Sequence, residues 1–272
     1  MKILIRGAGD LASGVAWRLY QAGYNEILMT DIEVPTTVRR TVAFSPAIYQ
    51  GEAIVEGVTA RRVNDAAQTE AAHADGEIAV IADPETTCLA WYQPDVLVDA
   101  VLAKYNTGTK IDDAPLVLGM GPGFTAKQDV DYAIETKRGH YLGRIIAEGS
   151  PVPDTGVPGN IAGFTSERII RAGADGVIKA LHKIGDLVTK GEPLAVVTDA
   201  ETGEEVTTTA NIAGVVRGML QDGVQVTKGM KSGDVDPRGE VSYCQSISDK
   251  ALAIGGGVLQ AVSAFEHGKE PV

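Results

Sequence analysis

Apolar runs and polar breaks alternate regularly along the first half of the chain. Lys2-Ile3-Leu4-Ile5-Arg6 is a compact apolar strand that meets Gly7-Ala8-Gly9 at once. Leu11, Val15, Ala16 and Leu19 then recur at helical spacing, and Gly23 closes that pattern as a natural helix C-cap. A second strand, Ile27-Leu28-Met29, runs into Thr30-Asp31. Short strands are predicted around Val42 and Phe44, at 53–55 and at 58–60, separated by the Gly51 and Gly57 turns. Alanines dominate a helical stretch over 65–73. Three buried-type strands follow at 77–81, 96–98 and 116–118. Apolar runs separated by helix-like or loop segments predict an α/β domain with a Rossmann-like parallel sheet over residues 1–164.

The pattern breaks at residues 149–159, where three prolines and three glycines mark a linker or extended loop. An internal repeat lies beyond it. Residues 176–191 align without gaps on residues 214–229, seven of sixteen positions are identical, and Val-Thr-Lys-Gly ends both. Each half holds a few short strands joined by glycine turns, so the halves bury a core only by facing each other. This resembles the barrel-sandwich hybrid of biotinyl and lipoyl carriers and predicts such a small all-β module over 165–238. The segment 198–209, where a carrier presents its modified lysine, contains no lysine. Biotin and lipoate are therefore not expected, and the module reads as structural or as a docking platform. Helical spacing resumes after Ser248, a suitable N-cap, so residues 239–272 are expected to pack on the first domain as a helical segment.

The chemistry concentrates on glycine turns. Gly7-Ala8-Gly9-Asp10-Leu11-Ala12 fits the G-x-G-x-x-G/A form between a strand and a helix, and Asp31 follows Ala12 by 19 residues. In a dinucleotide fold the glycines admit a pyrophosphate to the helix N-terminus and the acid bonds a ribose hydroxyl. Asp10 runs against that pattern, since an acid at the helix mouth is a poor neighbour for phosphate. Gly119, Gly121 and Gly123 form a second strand-to-helix turn with backbone amides open to a ligand. Asp83 and Asp99 end their strands at the same edge. Lys104 and His140 are candidates for proton transfer or anion pairing. Arg39-Arg40 and Arg61-Arg62 offer phosphate or carboxylate contacts, or solvated faces. Gly255, Gly256 and Gly257 would cost a helix roughly 3 kcal/mol against alanines. They are expected to wall the nucleotide site or to serve a tight helix crossing. Cys244 is a candidate reactive thiol if Lys250 lowers its pKa.

Composition narrows the partners. Acidic residues outnumber basic ones by 36 to 24, a net charge of -12 that repels nucleic-acid backbones. The two cysteines, Cys88 and Cys244, have no zinc-type spacing, so no metal site is expected and reduced thiols fit a cytoplasmic protein. The first strand begins immediately and no run is long enough for a membrane span, so neither a signal peptide nor membrane association is expected.

Several stretches together resemble the YqeB-type group, the accessory or maturation proteins of selenium-dependent molybdenum hydroxylase systems. They are Ile5 to Gly14, Pro35 to Val42, Val98 to Lys104, Gly119 to Phe124, Gly139 to Arg144, and Ile247 to Gly257. The resemblance implies a bacterial system serving hydroxylases of the xanthine dehydrogenase type, with hydroxylase subunits or other maturation proteins as partners. It supplies a context and names no catalytic residue. The leading expectation is an accessory protein for maturation or cofactor insertion that binds a nucleotide or nucleotide-bearing cofactor. NAD(P), another nucleotide and the molybdopterin cofactor all remain open. An NAD(P)-dependent oxidoreductase of a small substrate is the alternative, and a non-enzymatic docking platform is a third reading. Whether the protein is an enzyme and whether it forms a homo-oligomer are left open.

Overall fold

Nine strands make one sheet: β1 (Lys2–Arg6), β2 (Glu26–Asp31), β3 (Glu52–Val55), β4 (Val58–Arg62), β5 (Ile78–Ala82), β6 (Val96–Asp99), β7 (Leu116–Met120), β8 (Tyr132–Ile134) and β9 (Ile145–Ile146). In the computed structural model, which describes residues 1–272, their order is β3-β4-β5-β2-β1-β6-β7-β8-β9. Neighbours from β4 to β8 run parallel, while β3 and β9 pair antiparallel at the two edges. Ile3, Leu4 and Ile5 of the central strand are fully buried, as a strand covered on both faces requires.

Five helices accompany this sheet: α1 (Asp10–Gln21), α2 (Ala47–Gln50), α3 (Ala66–Ala74), α4 (Leu89–Tyr92) and α5 (Asp249–Glu266). Asp65 caps α3 by accepting from Gln68 N, and Ser248 caps α5 by accepting from Ala251 N. α5 packs on α1 and reaches β7, β8 and β9. It supplies a layer that crossover helices would otherwise provide, because the connections from β6 to β7 and from β7 to β8 contain none. The expected Rossmann-like domain, a parallel sheet wound with helices, is therefore corrected to a mixed sheet with antiparallel edges and two helix-free crossovers. Val42 and Phe44 also belong to no strand. Arg40–Val42 is a 3-10 turn, and Phe44 is buried in the loop after it.

The chain divides into two units, and the boundaries differ from those at 164/165 and 238/239. The first unit holds Met1–Pro35, Ala43–Thr155 and Ile247–Val272; the second holds Thr36–Val42 and Gly156–Ser246. The break after Thr155 falls inside the proline-rich linker. The excursion of Thr36–Val42 has no signature in local composition.

The second unit contains β10 (Ile169–Arg171), β11 (Gly176–Ala180), β12 (Leu187–Val188), β13 (Pro193–Asp199), β14 (Glu205–Thr209), β15 (Gly214–Met219), β16 (Gln225–Val226) and β17 (Lys231–Asp236). They form two antiparallel sheets, β10-β17-β15-β12 and β14-β13-β11-β16. Ile178, Leu194, Val197, Val216, Met219 and Val235 bring both sheets to one core. The repeats exchange strands: β11 pairs with β16 of the second repeat, and β12 of the first pairs with β15. A self-contained biotinyl/lipoyl-type module over 165–238 is corrected here as well. Met219 N donates to Val38 O at 2.7 Å, so the upstream segment Thr36–Val42 completes this unit. No helix is long and apolar enough to cross a membrane.

Candidate functional site

The carboxyl ends of β1 and β6 carry a buried polar cluster. Arg6 Nε donates to Thr86 Oγ1 at 2.8 Å, and Arg6 Nη1 donates to Asp99 Oδ2 at 2.8 Å and to Thr109 Oγ1. Thr109 Oγ1 in turn donates to the same Asp99 oxygen at 2.6 Å. Arg6, Thr86, Asp99 and Thr109 are all buried. Their placement follows from the sheet. Arg6 is paired with Asp99 in the parallel register, so the last residues of two adjacent strands bring opposite charges together. Asn106 Oδ1 accepts from Gly108 N and Thr109 N and fixes the turn that presents Thr109. Asp83 accepts from Cys88 N at 2.7 Å and from Thr87 Oγ1 at 3.0 Å, which shapes the turn carrying Thr86. Burial alone would raise the Asp83 carboxyl, but these donors hold it below the usual range. Burial followed by the bond to Asp83 pushes the Cys88 thiol up, so Cys88 is an inert thiol. A buried ion pair with extra hydroxyl partners is weak evidence for stability. At the ligand-binding edge of an open α/β sheet it is a better candidate for function.

The first glycine turn is closed by its own chain. Asp31 Oδ2 accepts from Ala8 N at 3.1 Å and its Oδ1 accepts from Ile32 N, so the carboxylate faces the loop backbone. Burial raises its pKa despite these bonds. Ala8 O accepts from Ser45 N at 2.9 Å and from Ser13 Oγ at 3.0 Å, and Ser13 Oγ accepts from Phe44 N. Gly7, at φ +97°, lies so close to Ala100 that a Cβ there would stand 2.9 Å from the Ala100 oxygen. An amide and an acid that would hold a dinucleotide are thus bound to each other. Gly9 is the N-cap of α1, and Asp10, Leu11 and Ala12 form its first turn.

The second turn is likewise packed. A Cβ on Gly119 would enter the Phe124 ring, one on Gly121 would meet Thr136 Oγ1 at 2.7 Å, and one on Gly123 would meet the Tyr105 backbone at 2.6 Å. Lys104 pairs with Asp154 at 2.6 Å on the surface. His140 is exposed and stacks edge-on against Tyr141. The arginine pairs have partners too: Arg39 donates to Tyr243 O and Ser246 O, Arg40 to Met219 O, Arg61 pairs with Asp75 and Glu77, and Arg62 with Glu33.

Gly255, Gly256 and Gly257 remain helical within α5. Gly255 rests on Gly14 O and Arg18 Cβ, and Gly257 abuts Gly143 O, so two of the three admit neighbouring backbone. Of the two readings of these glycines, the tight crossing is the one seen. Cys244 is fully buried in the second unit, with Sγ 3.7 Å from Val216 O. Burial raises its pKa, and the opposing charges are those of Arg217 and Arg39, not Lys250. Lys250 sits in the first turn of α5, in the first unit. No group of three or more His, Cys, Asp or Glu gathers where it could hold a metal ion.

Sequence reasoning missed Arg6 as a site residue although the signal was present, a charged residue ending an apolar strand just before the glycine turn. Thr86 and Thr109 gave no signal.

No family model matches the chain. Over 265 residues it is 48% identical to "Uncharacterized protein YqeB" of Escherichia coli (strain K12), covering 97% of this chain and 48% of that protein. The chain is similar to YqeB over nearly all of its own length. It spans about half the length of the curated YqeB that it matches. Solved structures of low similarity include a succinylglutamate desuccinylase/aspartoacylase of Rhodobacter sphaeroides, 21% identical over 34% of this chain and 29% of that one, with a TM-score of 0.24. The ectoine utilization protein EutE of Ruegeria pomeroyi is 14% identical over 80% and 60%, with a TM-score of 0.24. An aspartoacylase family protein of Mesorhizobium loti is 10% identical over 86% and 84%, with a TM-score of 0.28. Superpositions of this quality transfer no activity. The closed glycine turn does not support the nucleotide-binding accessory protein or the NAD(P)-dependent oxidoreductase, and both expectations are corrected on the geometry of Asp31, Ala8 and Ser45.

Proposed function

We propose that this YqeB-type chain serves a selenium-dependent molybdenum hydroxylase system, and that its working site is the Arg6–Asp99 cluster. One observation carries the location of the site. Three of the stretches on which the family resemblance rests come from separate parts of the chain and meet at this edge. Arg6 donates to Asp99, Gly7 lies beneath Ala100, and a Cβ on Gly121 would lie 3.5 Å from Leu102 Cδ2.

The chemistry of the cluster fits a small anionic group. The Arg6 guanidinium presents several donors in a planar fork, and the Thr86 and Thr109 hydroxyls stand beside it. Asp99 occupies that fork, so an incoming carboxylate or oxyanion would exchange with it as the loop carrying Thr109 moves. A hydroxylase subunit is the partner proposed for the whole protein.

Deletion of the gene from a host that makes such a hydroxylase tests the reading. Hydroxylase activity is expected to fall, to return with the wild-type chain, and to stay low with Thr109→Val. Normal activity in the deletion strain would overturn the reading.

A further inference from the structure

The second unit carries a polar face for which neither the fold nor the proposed function has a use. Ser232, Asp234 and Asp236 alternate along β17 with Gly233 and Val235, and Val235 belongs to the core. The three therefore point away from the core, yet all are buried. Thr36–Val42 and the turn Val241–Cys244 lie against β15, bonded to its backbone through Val38, Arg40 and Cys244.

Arg217 reaches the same face through a bulge. The pairing of β15 with β17 runs Val216↔Val235 and then Gly218↔Asp234, which leaves Arg217 as the extra residue. Bulges of this kind re-aim a side chain and are common beside functional sites. Its Nη1 stops 3.6 Å from Asp236 Oδ2, beyond hydrogen-bond distance. Arg238 holds Asp236 through two bonds, at 2.9 and 2.6 Å, and Arg168 Nη1 holds Asp234 at 2.7 Å. Three buried donors in this group have no hydrogen-bond partner: Arg217 Nε, Arg168 Nε and Ser232 Oγ. Ser232 is fully buried and Arg168 is 7% exposed. Leaving such donors unsatisfied in the interior is costly, so their retention calls for a reason.

We propose that Arg217, Arg168 and Ser232 form a binding site for a small oxyanion of phosphate size. The unsatisfied groups offer only donors except for the hydroxyl, which selects an acceptor-rich anion. Burial restricts the ligand to a small group. Burial, and after it the charge of Arg39 beside Arg217, depresses the Arg217 pKa. A bound anion would relieve that repulsion.

The test is calorimetric titration of the 272-residue chain with inorganic phosphate at constant ionic strength, with chloride as control. Saturable phosphate binding is expected, with at least tenfold weaker affinity in Arg217→Gln and unchanged affinity in Arg61→Gln, a surface control. Phenyl phosphate is titrated separately. Binding by phosphate alone assigns the site to a free ion, and binding by both assigns it to a phosphate carried on a larger ligand. Phosphorus NMR of bound phosphate in wild type and in the Ser232→Ala variant gives a second readout should Arg217→Gln fold poorly. Absence of saturable binding, or equal affinity in wild type and in folded Arg217→Gln or Ser232→Ala, overturns the proposal.

Discussion

Arg6 Nη1 and Asp99 Oδ2 lie 2.8 Å apart and join the last residues of adjacent parallel strands. Both side chains are almost wholly buried, at 8% and 1% exposure, so each depends on the other for compensation of its charge. Arg6→Met strands the Asp99 carboxylate with Thr109 as its remaining side-chain donor, and is expected to cost about 3–5 kcal/mol. The double variant Arg6→Met/Asp99→Leu is expected to recover most of that loss, because no buried charge remains. Urea denaturation of the four proteins of this cycle measures the coupling. Equal destabilisation by the double and single variants would contradict the pairing.

Two of the adjacent glycines of α5, and Gly14 of α1 that faces that helix, are expected to respond differently to alanine. Gly256 has only Arg18 Nη2 near its Cβ position, at 3.9 Å, so Gly256→Ala is expected to stabilise by up to ~1 kcal/mol through helix propensity. Gly257→Ala would drive a methyl into the Gly143 carbonyl and is expected to destabilise by about 1–3 kcal/mol or more. Gly14→Ala meets Ala251 Cβ at 2.6 Å and belongs with the destabilising group. Thermal unfolding of the three single variants gives the order.

Asp31 makes stability depend on pH in a defined direction. Burial raises its folded pKa above the ordinary carboxylate value, so the folded state binds the proton more tightly than the unfolded chain. Its contribution therefore weakens stability as pH rises from the ordinary carboxylate range through the raised value. Asp31→Asn is expected to flatten that part of the curve. Denaturation midpoints between about pH 3.5 and 7, wild type against variant, decide it. An unchanged slope would show that Asp31 titrates as it does in the unfolded chain.

Residues 165–238 expressed alone are expected not to unfold cooperatively. They lack Val38, whose carbonyl receives Met219 N, and Cys244, whose thiol rests on Val216 O. Adding a peptide covering residues 34–44 is expected to raise protection of the Met219 amide in hydrogen exchange. A cooperative transition in the fragment alone would contradict this.

Local pattern made the elements of the sheet legible, and long-range pairing was hidden. The runs 27–29, 77–81, 96–98 and 116–118 correspond to β2, β5, β6 and β7 because strands buried on both faces read as continuous apolar segments. Strands β8 and β9 are too short for such a signal. The glycine motif named the right turn but not its contacts. Whether Asp31 faces a ribose or Ala8 N depends on Ser45 and Phe44, which arrive from a loop with no motif. The Arg217 cluster was hidden for a similar reason. Its bulge exists only in the register between β15 and β17, and Arg39 comes from far upstream.

The division of the chain has a consequence for biosynthesis. Thr36–Val42 belongs with strands that end near residue 236, and the sheet of the first unit is finished by α5. Val38 leaves the ribosome well before Met219, and at roughly 5–20 residues per second the delay is on the order of 10–40 s. Neither body can close until its last segment has been made, up to Ser246 for the second unit and through α5 for the first. Until then the half-built sheets lack their last partners.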